Sequence, residues 1–422
     1  MNMYEKFKVD ENIIELSNKA LEKCSKPFKK IDENTEYNQL KVLSSFTKFG
    51  VSESHFAQST GYGYGDSGRD LLEKVFAEIT DSEDSLIRHN FTCGTHTLAV
   101  ALFGILRPGD TMLCVTGTPY DTIHSVIGLS GKNMGSLKDF GVTYKQVDLL
   151  EDGTVDFCGI EKAVKREKIK MVYIQRSRGY SLRPSLSVEK IGEIVKIVKE
   201  NSDAVVMVDN CYGEFVEKLE PTTVGADIIA GSLIKNPGGG IARNGGYIAG
   251  DKKLIELCSY RMTTPGLGRE VGATLGENRN LYMGLFNSPH VVGEALKTAV
   301  FAAALFESLG FEITPGVSEK RHDIIQAIKL KKEKNLIAFC QGLQKGAPVD
   351  STATPEPWDM PGYDSKVIMS AGAFINGSSI ELSADAPLRE PFAVWMQGGL
   401  NFHSGKLGIM LAAQEMKNRN LI

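Results

Sequence analysis

The chain has 422 residues, 42% of them hydrophobic, and 48 basic against 52 acidic side chains give a net charge of −4. That is apolar material for two or three ordinary cores, and the lack of a basic excess argues against a nucleic-acid partner. The longest apolar runs, "AVALFGIL" (99–106) and "TAVFAAALF" (298–306), are too short to span a bilayer, so no membrane partner is expected.

In chain order, residues 10–30 carry Ile13, Ile14, Leu16, Ala20 and Leu21 at helical spacing. This charged N-terminal stretch lacks the apolar core of a signal peptide. The seven cysteines are scattered, with no C-x-x-C pair of the zinc-ribbon kind, and suit free thiols in the cytoplasm. A glycine- and tyrosine-rich stretch follows, "STGYGYGDSGRD" (59–70). Short apolar strands are then expected at 111–117, 171–175, 204–209, 227–232 and 246–250, with helices at 98–106, 159–167 and 188–200. Such alternation predicts an α/β domain with a mostly parallel sheet. From about residue 289 a long helical stretch leads out, and 366–385 reads as two strands around Asn376-Gly377, a hairpin signal. The expected domains are an N-terminal helical arm (1–60), a large α/β domain (61–288) and a smaller C-terminal α+β domain (289–422).

Ligands of an open parallel sheet bind outside the carboxyl ends of its strands. Lys235 follows the strand "DIIAGS", Asp209 ends "AVVMVD", and Tyr120 follows "TMLCVTG". In "TCGTHTLAVALF", Gly94 and Thr95 open a helix whose free amides can hold an anion. An amine, a carboxylate, an aromatic face and a phosphate cradle together fit pyridoxal 5'-phosphate. Its aldehyde forms a Schiff base with lysine, its ring nitrogen needs an acidic partner, and its ring stacks on an aromatic side chain. A lysine at a crowded glycine turn is expected to have a lowered pKa, which suits imine chemistry. No metal-ligand spacing occurs among the seven histidines.

On these residues the chain resembles the fold-type I pyridoxal-phosphate enzymes, the aspartate aminotransferase-like fold. Within them it is similar to the cysteine/methionine metabolism group of cystathionine beta-lyases and methionine gamma-lyases, and to their aluminium-resistance members. "VVMVDNCYGEF" resembles that group's aspartate strand, "GSLIK" its serine-x-x-lysine, "TCGTHTLAVAL" its phosphate loop and "PYDT" its stacking-tyrosine segment. The resemblance implies Lys235 as Schiff-base lysine, Asp209 as ring-nitrogen partner and Tyr120 as stacking ring. It implies phosphate binding by Ser232, Gly94 and Thr95. In the arm, Tyr62 or Tyr64 is expected to reach a neighbouring subunit's phosphate, which implies a homodimer or homotetramer with shared sites. The group's substrate-carboxylate arginine is replaced at the aligned position by Glu381; Arg389 is the nearest substitute. Arg176, Arg178 and Arg183 add positive charge in a loop near the cofactor hydroxyl, and Arg176 and Arg178 are further substrate-binding candidates. The function implied is beta- or gamma-elimination on a sulfur-containing amino acid such as cystathionine, methionine or a cysteine derivative. An aminotransferase, aldolase or racemase of the same fold, or a non-catalytic cofactor binder, remains open.

Overall fold

The computed structural model describes residues 3–132, 134–359 and 365–422. Its contacts form two compact units: Tyr37–Ser288, and Met1–Glu36 together with Pro289–Ile422. The first long helix is α1 (Glu11–Lys48). After it come α2 (Ser67–Ile79), β1 (Asp84–Arg88), α3 (Gly94–Ile105), β2 (Thr111–Cys114), α4 (Asp121–Ile127) and β3 (Thr143–Gln146). Next are α5 (Phe157–Arg166), β4 (Met171–Gln175), α6 (Val188–Asn201), β5 (Val205–Asp209), β6 (Ile228–Ser232), β7 (Gly246–Gly250), α7 (Lys252–Met262) and α8 (Asn278–Ser308).

The large unit is built on a seven-stranded sheet in the order β1-β7-β6-β5-β4-β2-β3. Only β7 runs against its neighbours. Leu86, Met112, Cys114, Tyr173, Met207, Ile228 and Ile248 share one core with buried residues of α3 and α7. Successive strand residues point to opposite faces. Tyr247, next to Ile248, therefore points to the other face, where its ring meets Phe76 of α2 with centroids 4.7 Å apart. Helices cover both faces, so β4 and β6 are buried throughout, the continuous apolar pattern of a covered parallel sheet.

The expected strands at 111–117, 171–175, 204–209, 227–232 and 246–250 all form, the first ending at Cys114. β1 and β3 went unread, being short and polar ("DSLIR", "TYKQ"). The expected helix at 10–30 continues through Pro27 to Lys48. Its second half keeps a buried stripe, Ile31, Asn38, Val42 and Ser45, at near-heptad spacing. The helix expected from 289 begins at Asn278, and Pro289 lies inside it. There the Ser288 hydroxyl bonds the carbonyls of Gly284 (2.8 Å) and Pro237 (2.5 Å).

The smaller unit holds β8 (Glu312–Thr314), β9 (Gln326–Lys329), α9 (Glu333–Lys345), β10 (Val367–Ala371), β11 (Ser383–Pro387), β12 (Ala393–Gln397) and α10 (Phe402–Asn418). Its sheet is antiparallel in the order β10-β11-β12-β9-β8. Strands β10 and β11 pair as the sequence suggests, but residues 372–382 connect them, not a two-residue Asn376-Gly377 turn. The reason is Glu381, whose buried carboxylate accepts hydrogen bonds from the Phe374 and Ile375 amides (2.9 and 2.8 Å) and organises a wider loop.

Candidate active site

The parallel register aligns Gln175, Asp209 and Ala230 across β4, β5 and β6. Asp209 and Met207 share a face by alternation, so Asp209 points to the α3 side of the sheet. Its carboxylate accepts from the Cys211 amide (3.1 Å) and the Tyr173 hydroxyl (3.3 Å). Burial pushes this carboxyl above the usual range; Cys211, Lys235 and Tyr173 pull it back in part.

Ser232 ends β6 on that same face. A Cβ on Gly94 would lie 3.3 Å from the Ser232 Cβ, so the start of α3 abuts this serine. The helix is capped by the Cys93 sulfur, which accepts from the His96 amide at 3.3 Å. Gly94 and Thr95 are first-turn residues, whose amides have no acceptor within a helix. The Thr95 hydroxyl bonds that of Thr122 at 2.9 Å, tying α3 to α4 just after Tyr120. Gln175 fixes Tyr120 from the strand end, accepting its amide hydrogen at 2.6 Å. The Tyr120 ring leans on Tyr180, with centroids 5.6 Å apart.

Lys235 lies in the turn after β6. Its Nζ sits 3.7 Å above the centre of the Tyr212 ring. Tyr212 holds φ +66°, unusual for a residue with a side chain and the kind of strain that clusters at functional sites. The expectation of a lowered lysine pKa is corrected here. Burial acts downward, but the acidic groups of Tyr212, Cys211, Asp209 and Glu214 outweigh it and carry the lysine above its ordinary value.

Tyr212, Glu214 and Tyr247 of this cluster were not singled out from the sequence. Glu214 is buried, and its Oε1 accepts from the hydroxyl of Tyr247 at 2.7 Å. Burial pushes the Glu214 carboxyl up to about 8. The available signal was Gly231, a glycine inside an apolar strand, which marks a close approach.

The methionine gamma-lyase family model matches residues 13–417 of this sequence. The chain belongs to that family. The YnbB protein of Bacillus subtilis (strain 168) is 50% identical over 396 residues, 93% of this chain and 94% of its own. A Clostridium acetobutylicum protein, provisionally described as a cystathionine beta-lyase involved in aluminum resistance, is 51% identical. Its structure superposes with a TM-score of 0.95 over 98% of this chain and 97% of its own. A carbon-sulfur lyase involved in aluminum resistance from Clostridium novyi NT is also 51% identical, with a TM-score of 0.95 and 98% coverage of both chains. The fold is accordingly that of the fold-type I pyridoxal-phosphate enzymes.

The residues present fit the family's cofactor. The Ser232 Oγ is buried without a hydrogen-bond partner, beside Gly94. A buried hydroxyl in that condition at a helix start suits a phosphate oxygen. The lysine and aspartate stand on adjacent β-ends of the same sheet, as a Schiff-base amine and a ring-nitrogen partner require.

Against the family pattern, the arginines come out differently from expectation. Arg176 is committed to protein partners. It is fully buried, donating to Asn210 (2.7 Å), Glu217 (2.9 Å) and Glu220 (3.4 Å). Arg183 is buried too and grips the carbonyls of Gln175, Ser177 and Pro184. Arg178 is buried in the same loop, two residues before Tyr180. Arg389 is exposed in the turn after β11, at the far end of that strand from Glu381. The strand rises roughly 3.3 Å per residue, so Arg389 does not occupy the position of Glu381.

Tyr62 and Tyr64 are 69% and 60% exposed and stack on each other, centroids 5.5 Å apart. The loop beneath them is tightly built. Buried Arg69 donates to the Gly63 (2.7 Å) and Gly272 (3.1 Å) carbonyls. Asp66 takes hydrogen bonds from Ser59, Thr274, Asn278 and the Arg69 amide. Gly63 has φ +65°, and a Cβ there would come within 2.7 Å of Ala273.

Proposed function

We propose that this protein is a pyridoxal-phosphate-dependent carbon–sulfur lyase that performs beta- or gamma-elimination on a sulfur-containing amino acid. The observation that carries this reading is the meeting of Lys235, Asp209 and the unpartnered Ser232 hydroxyl at one sheet edge. The family and the relatives' descriptions support it.

When bound, pyridoxal phosphate supplies an electron sink for the pair left at the substrate's alpha carbon. Lys235 is the anchoring amine and, once freed, the base that holds the alpha proton on Nζ. Asp209 in its ionised form pairs with the protonated ring nitrogen, a charge contact that offsets the cost of its burial. Ser232 and the Gly94 and Thr95 amides take the phosphate, and Tyr120 stacks on the ring. Arg178 is the arginine we assign to the substrate carboxylate, because it shares its loop with the Tyr180 that braces Tyr120. The sulfur leaves with its electron pair and takes up a proton; water then completes a keto acid and ammonia.

We further propose a cytoplasmic homodimer or homotetramer. The rigid loop presenting Tyr62 and Tyr64 to the outside supports a shared site, and all seven cysteines are free thiols. The function is tested by supplying purified protein with cystathionine, methionine and cysteine derivatives and measuring thiol or sulfide together with keto acid. Equimolar release is expected. Amino transfer without thiol release, or no spectral response to any amino acid, would replace this reading with one of its two rivals.

A further inference from the structure

The cluster around Lys235 contains one carboxyl that the proposed chemistry does not use. Glu214 lies in the segment joining β5 to β6, five residues beyond Asp209. Its neighbours Tyr212 and Phe215 hold φ +66° and +61°, so the chain is turned sharply on both sides of it. The side chain is buried against the sheet face opposite the cofactor-binding face. There Gly231 and Tyr247 are register partners on β6 and β7. A Cβ on Gly231 would come within 2.6 Å of both the Glu214 Oε1 and the Tyr247 ring. The missing side chain at 231 is thus the space that the glutamate and the tyrosine occupy.

One carboxylate oxygen takes the Tyr247 hydroxyl; the other, Oε2, is buried with no hydrogen-bond partner. The Glu214 main-chain carbonyl accepts from the side chain of Asn236, the residue after Lys235, at 2.9 Å. The aspartate-bearing segment and the lysine-bearing turn are therefore joined at this residue. An unpartnered buried carboxylate oxygen is costly unless the group serves a charge nearby.

We propose that the Glu214 carboxyl, oriented by Tyr247, is a buried counter-group to Lys235 that governs how readily this lysine releases its proton. Glu214 is then a positioning residue, and the proposal rests on the reading of Lys235 as the reactive amine. Tyr212, Cys211, Asp209 and Glu214 all bear on the lysine. The Glu214 carboxyl is in turn influenced by the Tyr247 hydroxyl from β7, by the charge of Lys235 from the turn and by Glu220 from its own segment. Its upward displacement, caused first by burial, leaves the proton exchangeable near neutral pH. When Glu214 carries its proton it exerts no pull on the lysine; when ionised it favours the ammonium form. A full charge here therefore holds Lys235 protonated, and a neutral carboxyl lets it become a free amine.

The test reads the lysine itself. Full-length protein stripped of cofactor is trace-labelled with acetic anhydride across alkaline pH, and the Lys235 peptide is quantified by mass spectrometry. Glu214→Gln keeps an acceptor for Tyr247 and the carbonyl for Asn236 but removes the charge. Its Lys235 is expected to label about three- to tenfold faster near pH 9, the change that a midpoint lowered by up to about one unit produces. Superimposable curves would overturn the proposal and leave Glu214 a structural strut. If Glu214→Gln does not fold, Tyr247→Phe is read by the same criterion. Losing the hydroxyl favours the neutral carboxyl, so faster labelling is again expected and an unchanged curve again overturns the proposal. Because the assay needs no cofactor, its outcome is separate from the proposed function, which fails if loaded wild-type protein shows no cofactor absorbance.

Discussion

Two cations, the half-buried Lys235 and the fully buried Arg176, lie at the carboxyl edge of the same sheet. Arg176 has its two terminal nitrogens engaged by Asn210, Glu217 and Glu220. Lys235 rests on the face of Tyr212, and the Ser232 hydroxyl, three residues before it, and a Glu214 oxygen are left without partners. Both sites carry charge out of water, which is costly without compensation. In one, both terminal nitrogens are engaged, which fixes the segment from Asn210 to Glu220, and only Nε is left without a partner. In the other, polar atoms remain for something else to satisfy. The difference separates a cation held by three side chains from one held on an aromatic face.

That comparison can be broken most forcefully at Arg176. Arg176→Ala leaves Glu220 buried without its cation and is expected to cost about 3–5 kcal/mol of stability by denaturant unfolding. A loss under about 1 kcal/mol would show that the arginine is not the structural partner described. On the other side, Asp209→Asn should leave the unfolding transition in place and lower turnover about 10²–10³-fold, the range for removing one preorganised electrostatic contact. Near-normal turnover would take Asp209 out of the site. Gly231→Ala sharpens the boundary between the two behaviours. Its methyl group would press on Glu214 and Tyr247, with an expected loss of about 1–3 kcal/mol from overpacking; no loss would mean that the pair has room to spare.

A further effect concerns pH. Glu214 is held above its unfolded value of 4.5, up to about 8. Between those values the folded chain keeps a proton that the unfolded chain has released. Stability should therefore be highest below that window and decline as pH rises through it. Glu214→Gln should flatten this decline in melting experiments; an unaltered slope would assign it to other groups.

Much of the candidate site was legible in the sequence because its residues sit where apolar strands stop. β4, β5, β6 and β7 announce themselves as short apolar runs, and Asp209, Ser232 and Lys235 follow from their ends. The edge strand β3 did not, since its side chains are half exposed and polar. The setting of Arg176 was hidden for a different reason. The partners of Arg176 lie at 210, 217 and 220, beyond any local pattern, so a buried ion cluster reads like a surface basic run. Glu214 was hidden similarly. Its environment depends on Tyr247 and on Gly231, which opens the "GSLIK" motif that drew notice only for its serine and lysine. Asn376-Gly377 misled because Glu381, not the turn dipeptide, shapes the loop before β11.

The central claim is that Lys235 is the residue that carries the cofactor. Borohydride reduction of pyridoxal-phosphate-loaded protein, followed by peptide mapping, tests it directly. The phosphopyridoxyl mass should appear on the peptide containing Lys235 and vanish from Lys235→Ala. Its appearance on another lysine, or nowhere in a loaded sample, would contradict the account.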